Sequence, residues 1–327
     1  MSSPPEATAQ SDFSGPLRGS GSPLERGTLG ALDELLQVLT PQPVGADRFR
    51  AGNEAVRFGR IFGGQLVAQA MAAAAATVAE LIPHSIHASF LRLGDFTAPL
   101  DIIVERTRDG RSMSVRHVVI EQDGNALVTA TVSFDANAAS ADVHTAAGPA
   151  TPPESVPLLQ HWAQYARAGL AGPGRTWIDR PPPLEMRIGE APIFLGGAQA
   201  PGQRTHWIRL PRTVDAGPQE HAALLAYASD YLLVDMALRS HPQRVGYATH
   251  RGLTLDHTIW LHRPVQFDRW HCYTLQTVAV GGHRALVQGT IVDAAGRHVA
   301  STAQEVLVRP TTNSTAPARI HRKDQHQ

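Results

Sequence analysis

The chain carries one structural plan twice: a long, slim helix followed by an antiparallel meander. In the first copy, Gly63-Gly64-Gln65 opens a stretch over 66–81 dominated by alanine, with an unbroken alanine run at 72–76. Alanine is the best helix former, and a helix without bulky side chains can lie closely against a sheet. Pro83 is expected to end it. Strand-like runs follow at 86–93, 100–106, 113–122 and 126–134, punctuated by Gly94-Asp95, Asp109-Gly110 and Asp123-Gly124. In the second copy, 184–188 and 205–210 read as strands that precede one helix over 221–239, apolar on nearly every face. Strands at 255–261, 270–278, 285–293 and 299–308 come next, with turn signals at Gly281-Gly282 and Ala295-Gly296. The copies match in detail: the run from His87 to Arg92 answers that from His257 to Arg263, Arg111 answers Arg284, and Gly124 answers Gly296. A helix apolar all round must be buried. The pattern therefore predicts an internally duplicated α+β fold, each antiparallel sheet wrapped around its own central helix.

The segments outside the copies differ in composition. Residues 1–27 and 311–327 are rich in small and polar residues and read as disordered arms, and 137–176 reads as a proline-rich linker holding at most a short helix. That leaves an N-terminal repeat over 28–136 and a C-terminal repeat over 177–310. A formal net charge of zero argues against a general nucleic-acid binder. No apolar run reaches the roughly 18 residues of a membrane span, and no basic start with an apolar stretch marks a secretory signal, so the cytoplasm is expected. The single cysteine, Cys272, excludes an internal disulfide framework and reads as a small core residue of a strand.

Six motifs, split across the two copies and in matching order, carry a resemblance. Arg60-Ile61-Phe62-Gly63-Gly64-Gln65 with Gln69-Ala70, the run from His84 to Phe90, and Arg108-Asp109-Gly110-Arg111-Ser112 with Arg116 lie in the first. The run from Leu225 to Asp230, that from Leu255 to Arg263, and Gln304-Glu305 lie in the second. Together they resemble the acyl-CoA thioesterase II (TesB-like) family. The resemblance implies a double hotdog fold and hydrolysis of fatty acyl-CoA without metal, cofactor or covalent intermediate. It also implies a homo-oligomer, dimer or tetramer. Its catalytic set falls here on Asp230, Thr254 and Gln304. Two departures, Val306 after Gln-Glu and Leu261 before the second histidine, bear on the acyl pocket rather than the chemistry.

The residue types suit that chemistry. A thioester carbonyl yields to an oriented water, given a base, polar groups to aim the water, and donors for the developing oxyanion. Asp230 can accept the proton, while the Thr254 hydroxyl and the Gln304 amide can hold the water. Each has a plainer reading, as an arginine-paired helix carboxylate, a strand hydroxyl and a buried amide. Gly63, Gly64 and Gln65 at a helix start are candidates for the oxyanion site, or simply for close helix–sheet packing. Arg111, Arg116, Arg263 and Arg284 are candidates for CoA phosphates, against solvated surface charge. The histidines at 84, 87, 257 and 262 read as structural, because alternation along a strand disperses them. Two other functions fit the fold: a non-catalytic acyl-CoA-binding protein, and a hotdog enoyl-CoA hydratase. The hydratase signature is absent from both helices, and free-thiol release separates both rivals from a thioesterase.

Overall fold

The computed structural model describes residues 15–54, 59–136, 151–165 and 173–311. The first half runs α1 (Pro23–Val38), β1 (Gln42–Gly45), β2 (Arg48–Ala51), α2 (Gly63–Ala75), β3 (Ile82–Phe90), β4 (Leu100–Asp109), β5 (Met113–Gln122) and β6 (Asn125–Asp135). After α3 (Pro173–Asp179), the second half runs β7 (Glu185–Ile188), β8 (Arg204–Arg209), α4 (Pro218–Ser229), α5 (Leu233–Arg239), β9 (His250–Thr254), β10 (Asp256–Leu261), β11 (His271–Gly281), β12 (Arg284–Asp293) and β13 (His298–Pro310). The duplicated α+β plan is present, but the two sheets are one. β3 pairs with β10, Ile86 opposite Ile259, and fuses the halves into the order β1-β2-β4-β5-β6-β3-β10-β13-β12-β11-β8-β7, with β9 added on β13.

Helix α2 lies on β3–β6 and against α4. Ala68, Ala70, Ala73 and Ala74 are fully buried there, so the slim alanine face sets the close approach. The helix ends at Ala75, earlier than expected, and Pro83 is the second residue of β3 instead of stopping a helix. Asp123 and Gly124 both take positive φ in the tight β5–β6 turn, the conformation that an Asp-Gly pair accommodates.

Three segment boundaries differ from expectation. Residues 15–27 are not a disordered arm: Ser22 caps α1 by accepting from Glu25 N–H at 3.1 Å, Leu17 is buried, and Arg18 donates to the carbonyls of Leu210 and Asp268. The arm is fixed because its cap satisfies the start of α1 and Arg18 finds backbone partners on the other half. The described part of the linker is also docked. Its 3₁₀ turns at Pro153–Ser155 and Leu159–Tyr165 bury Leu158 and Leu159, and Trp162 donates to the Ile188 carbonyl at 2.9 Å. Expected disorder over 1–14 and 312–327, and the linker stretches 137–150 and 166–172, lie outside the described residues. The third difference is the second helix, which is two.

Asp235 on α5 anchors the wall between these segments. Its buried carboxylate pairs with buried Arg204 and accepts from the backbone N–H groups of Ile193 at 3.1 Å and Phe194 at 3.2 Å. Unpairing a buried ion costs about 3–5 kcal/mol. Asp235→Ala should lower the unfolding free energy measured in urea by that amount; an unchanged value would show the pair to be energetically neutral.

Candidate active site

The expected single helix over 221–239 breaks at Asp230. Helix α4 stops at Ser229, Asp230 is its C-cap, and Leu232 takes φ 67° before α5 begins. A left-handed leucine costs free energy that neighbouring structure must offset. The break leaves Asp230 at the mouth of α2. There Gly64 N–H donates to Asp230 Oδ2 at 2.8 Å, and the positive end of a helix favours the carboxylate. Both glycines are needed for this approach. A Cβ on Gly64 would overlap the Tyr227 carbonyl oxygen, and one on Gly63 would stand 2.7 Å from Asp230 Oδ2.

Thr254 ends β9 and Gln304 lies on the adjacent β13, where Gln304 Nε2 donates to Thr254 Oγ1 at 3.0 Å. On its other side, Gln304 Oε1 lies 2.6 Å from His257 Nδ1. Burial pulls the His257 pKa down to about 4, so the ring is neutral at physiological pH. A carbonyl oxygen only accepts, so Nδ1 carries the proton and Nε2 accepts from the Ser229 hydroxyl at 2.8 Å. His257 thus ties the Gln304 amide to the last turn of α4. It is structural, as the sequence suggests, but the structure it maintains is that of the site. Neighbouring Asp256 turns away and accepts from Glu305 N–H.

Asp230 is 7% exposed. Burial pushes its pKa up to about 7, against the opposing influence of Gln304, Gly64 N–H, the Arg60 charge and Thr254. Its Oδ1 has no partner meeting hydrogen-bond geometry, although Gln304 and Thr254 come close enough to favour the charged form. A carboxylate half-ionised near neutral pH, facing a cleft, suits general-base work.

That cleft has a volume of about 420 Å³ and is bordered by Gly63, Asp230 and Thr254. Gly64 and Gln65 are not open to it as oxyanion donors. The Gly64 N–H is committed to Asp230, and the fully buried Gln65 side chain joins Glu54 N–H to Asn53. None of the four expected CoA arginines borders the cleft either. Arg116 is buried and clamps Thr77, the Arg108 carbonyl and Asp109. Arg284 pairs with Glu305 at 2.9 Å, Arg111 is exposed in the β4–β5 turn, and Arg263 borders a separate cavity beside Trp270. The arginines that do border it are Arg60, Arg92 and Arg251. Arg60 donates to the Gly252 carbonyl at 3.1 Å, and the charge that burial disfavours is favoured by Asp230. Leu261 and Val306 do not border it. Burial raises the Cys272 pKa to about 12, which leaves it without thiolate character. Among the described residues no His, Cys, Asp or Glu cluster is arranged to hold a metal.

Comparison with known proteins bears on this geometry. Residues 54–135 match the family model described as the acyl-CoA thioesterase N-terminal domain, and residues 140–308 match the corresponding C-terminal domain. The chain is similar to acyl-coenzyme A thioesterase 8 of Rattus norvegicus, 33% identical over 299 residues, covering 87% of this chain and 92% of that protein. It is also similar to acyl-CoA thioesterase 2 of Haemophilus influenzae, 30% identical over 282 residues, covering 85% and 98%. Among solved structures, the tesB protein of Mycobacterium avium subs paratuberculosis superposes with a TM-score of 0.70 at 28% identity, covering 85% of this chain and all of that one. A hot dog fold protein from Alicyclobacillus acidocaldarius, 18% identical with a TM-score of 0.66 over 85% and 98% of the two chains, shares the fold. The chain belongs to the acyl-CoA thioesterase II (TesB-like) family of double hotdog thioester hydrolases.

Proposed function

We propose that the protein hydrolyses fatty acyl-CoA to free fatty acid and CoA by direct attack of a water held by Asp230 and Thr254 and, through Thr254, by Gln304. The observation that carries this reading is the buried carboxylate poised near pH 7 beside a threonine hydroxyl in the cleft. Asp230 takes a proton from the water as its oxygen bonds to the thioester carbon. The C–S bond then breaks, and the same proton passes to the departing thiolate. Gln304 is fully buried and outside the cleft lining, so its amide acts by aiming the Thr254 hydroxyl and Asp230 at the water. The positive end of α2 and the Arg60 guanidinium supply the field for the developing oxyanion. We also propose, from the family resemblance, a homo-oligomer, dimer or tetramer, and, from the sequence pattern, a place in the cytoplasm.

The CoA phosphates fit the outer end of the cleft. Arg251 and Leu253 border both the cleft and an adjoining depression of about 440 Å³ that holds Arg309. Thiol release from acyl-CoA and from the matching acyl-pantetheine, which lacks the nucleotide, tests both assignments. Folded wild type should release thiol from both. Arg251→Ala should raise KM about tenfold for acyl-CoA only, the effect of one lost charge-assisted contact. No thiol release would sink the hydrolase reading, whereas equal KM changes for both substrates would sink only the phosphate contact.

A further inference from the structure

The cleft has two chemically different ends. Outward lie the exposed side chains of Arg92 and Arg251. Inward, aromatic rings form a continuous wall. Phe62 stands 4.6 Å from Tyr231, Tyr231 meets Trp177 edge-on at 5.1 Å, Trp177 lies 5.1 Å from Phe194, and Phe194 lies 6.3 Å from Tyr247. All five border the cleft. Trp177 is in the middle of the row, 4% exposed, on α3 just after the proline-rich segment between the two halves.

This wall is braced by buried polar groups, one of which, Asp235, itself borders the cleft. Asp235 holds the Phe194 turn through two backbone N–H groups and its ion pair with Arg204. The Tyr231 hydroxyl is 2.9 Å from that of Tyr227, which donates to the Glu54 carboxylate at 2.9 Å. A close-packed wall fixed on either side of Trp177 does not yield to an incoming chain. The acyl tail takes the apolar end, because each methylene buried there gains about 0.8 kcal/mol, while phosphates take the arginine end.

We propose that Trp177 closes the acyl end of the cleft and sets an upper limit on chain length, so that short- and medium-chain acyl-CoA thioesters are preferred. The inference rests on the hydrolase reading above. A chain longer than the site leaves methylenes in water or must displace the indole, and either route forfeits the gain from further length.

The test is kcat/KM for butyryl-, octanoyl- and palmitoyl-CoA in wild type, Trp177→Ala, Trp177→Phe and Phe194→Ala. Wild type should favour octanoyl-CoA over palmitoyl-CoA. Trp177→Ala should raise the palmitoyl-to-octanoyl ratio at least about tenfold, the discrimination that one or two methylenes command in an apolar pocket. Trp177→Phe should change the ratio least. Removing a buried tryptophan can cost about 3–5 kcal/mol; if Trp177→Ala does not fold, Phe194→Ala opens the same wall and must raise the ratio. An unchanged ratio, an equal loss on all three substrates, or a wild type that prefers palmitoyl-CoA would overturn the proposal. A folded wild type that releases thiol from none of the three would instead remove the hydrolase reading beneath it, a result distinct from an unchanged ratio.

Discussion

Asp230→Asn is expected to stay folded and lose about 10²–10⁴ in turnover, the usual effect of removing a general base. The amide has the shape of the carboxylate, and its oxygen can still accept from Gly64 N–H, which lies 2.8 Å from Oδ2 in the wild type. Wild-type kcat/KM should rise with pH and level off above about 7, because the base acts only when deprotonated. The residual activity of the variant should lack that step. Stability should move the opposite way. The folded-state pKa of Asp230 is raised from 3.8 to about 7 by burial, so between those values the unfolded chain holds fewer protons than the folded one. The contribution of Asp230 is therefore fully present below about pH 4 and declines as pH rises toward 7. Above pH 7 the variant, free of a buried charge, should melt no lower than wild type. Turnover within about threefold of wild type at every pH would show that Asp230 is not the base.

The parts of this molecule legible in its sequence are those encoded by periodicity and repetition. Two alanine-rich or apolar helices, each followed by four alternating strands, predicted the duplicated α+β plan. Asp230, Thr254 and Gln304, picked out by resemblance, do converge in space. What stayed hidden depends on side chains whose partners are remote. Nothing in Ser229-Asp230-Tyr231-Leu232 announces a break, since there is no glycine or proline and Leu232 adopts φ 67° without one. Arginines could be counted but not placed, because register and strand end decide whether a guanidinium faces the cleft, as Arg251 does, or a turn, as Arg116 does. Trp177 sits at the edge of a segment whose prolines suggested a spacer. The start of α1 was readable in principle: Ser22-Pro23-Leu24-Glu25 has the capping-box pattern with proline at the first helical position. Its polar, glycine-rich neighbours concealed it.

Gly64→Ala probes the contact that joins the halves. The added Cβ would overlap the backbone carbonyl oxygen of Tyr227, and neither packed helix has a flexible end to move. Helices α2 and α4 must separate, at about 1–3 kcal/mol for overpacking. Separation lengthens the Gly64 N–H bond to Asp230, one of the influences that hold the carboxyl pKa down to about 7. A hydrogen bond to a charged group contributes about 1.5–3 kcal/mol, so its loss should lift that pKa by about one to two units. At pH 7 the active fraction, and with it kcat/KM, should fall about 5- to 50-fold, partly recovered at pH 9. Ala222→Val is the control. It overpacks the same buried α4 but stands two turns before Asp230, so it should cost stability without moving the midpoint of the pH profile. Gly63→Ala belongs between them: its Cβ would meet the Asp230 Oδ2 atom at 2.7 Å, a side-chain oxygen able to rotate away. The decisive reading is the midpoint rather than the rate. If Gly64→Ala lost activity with its midpoint still near 7, the glycine would serve packing alone, and the donor bond across the two halves would have no part in setting the base.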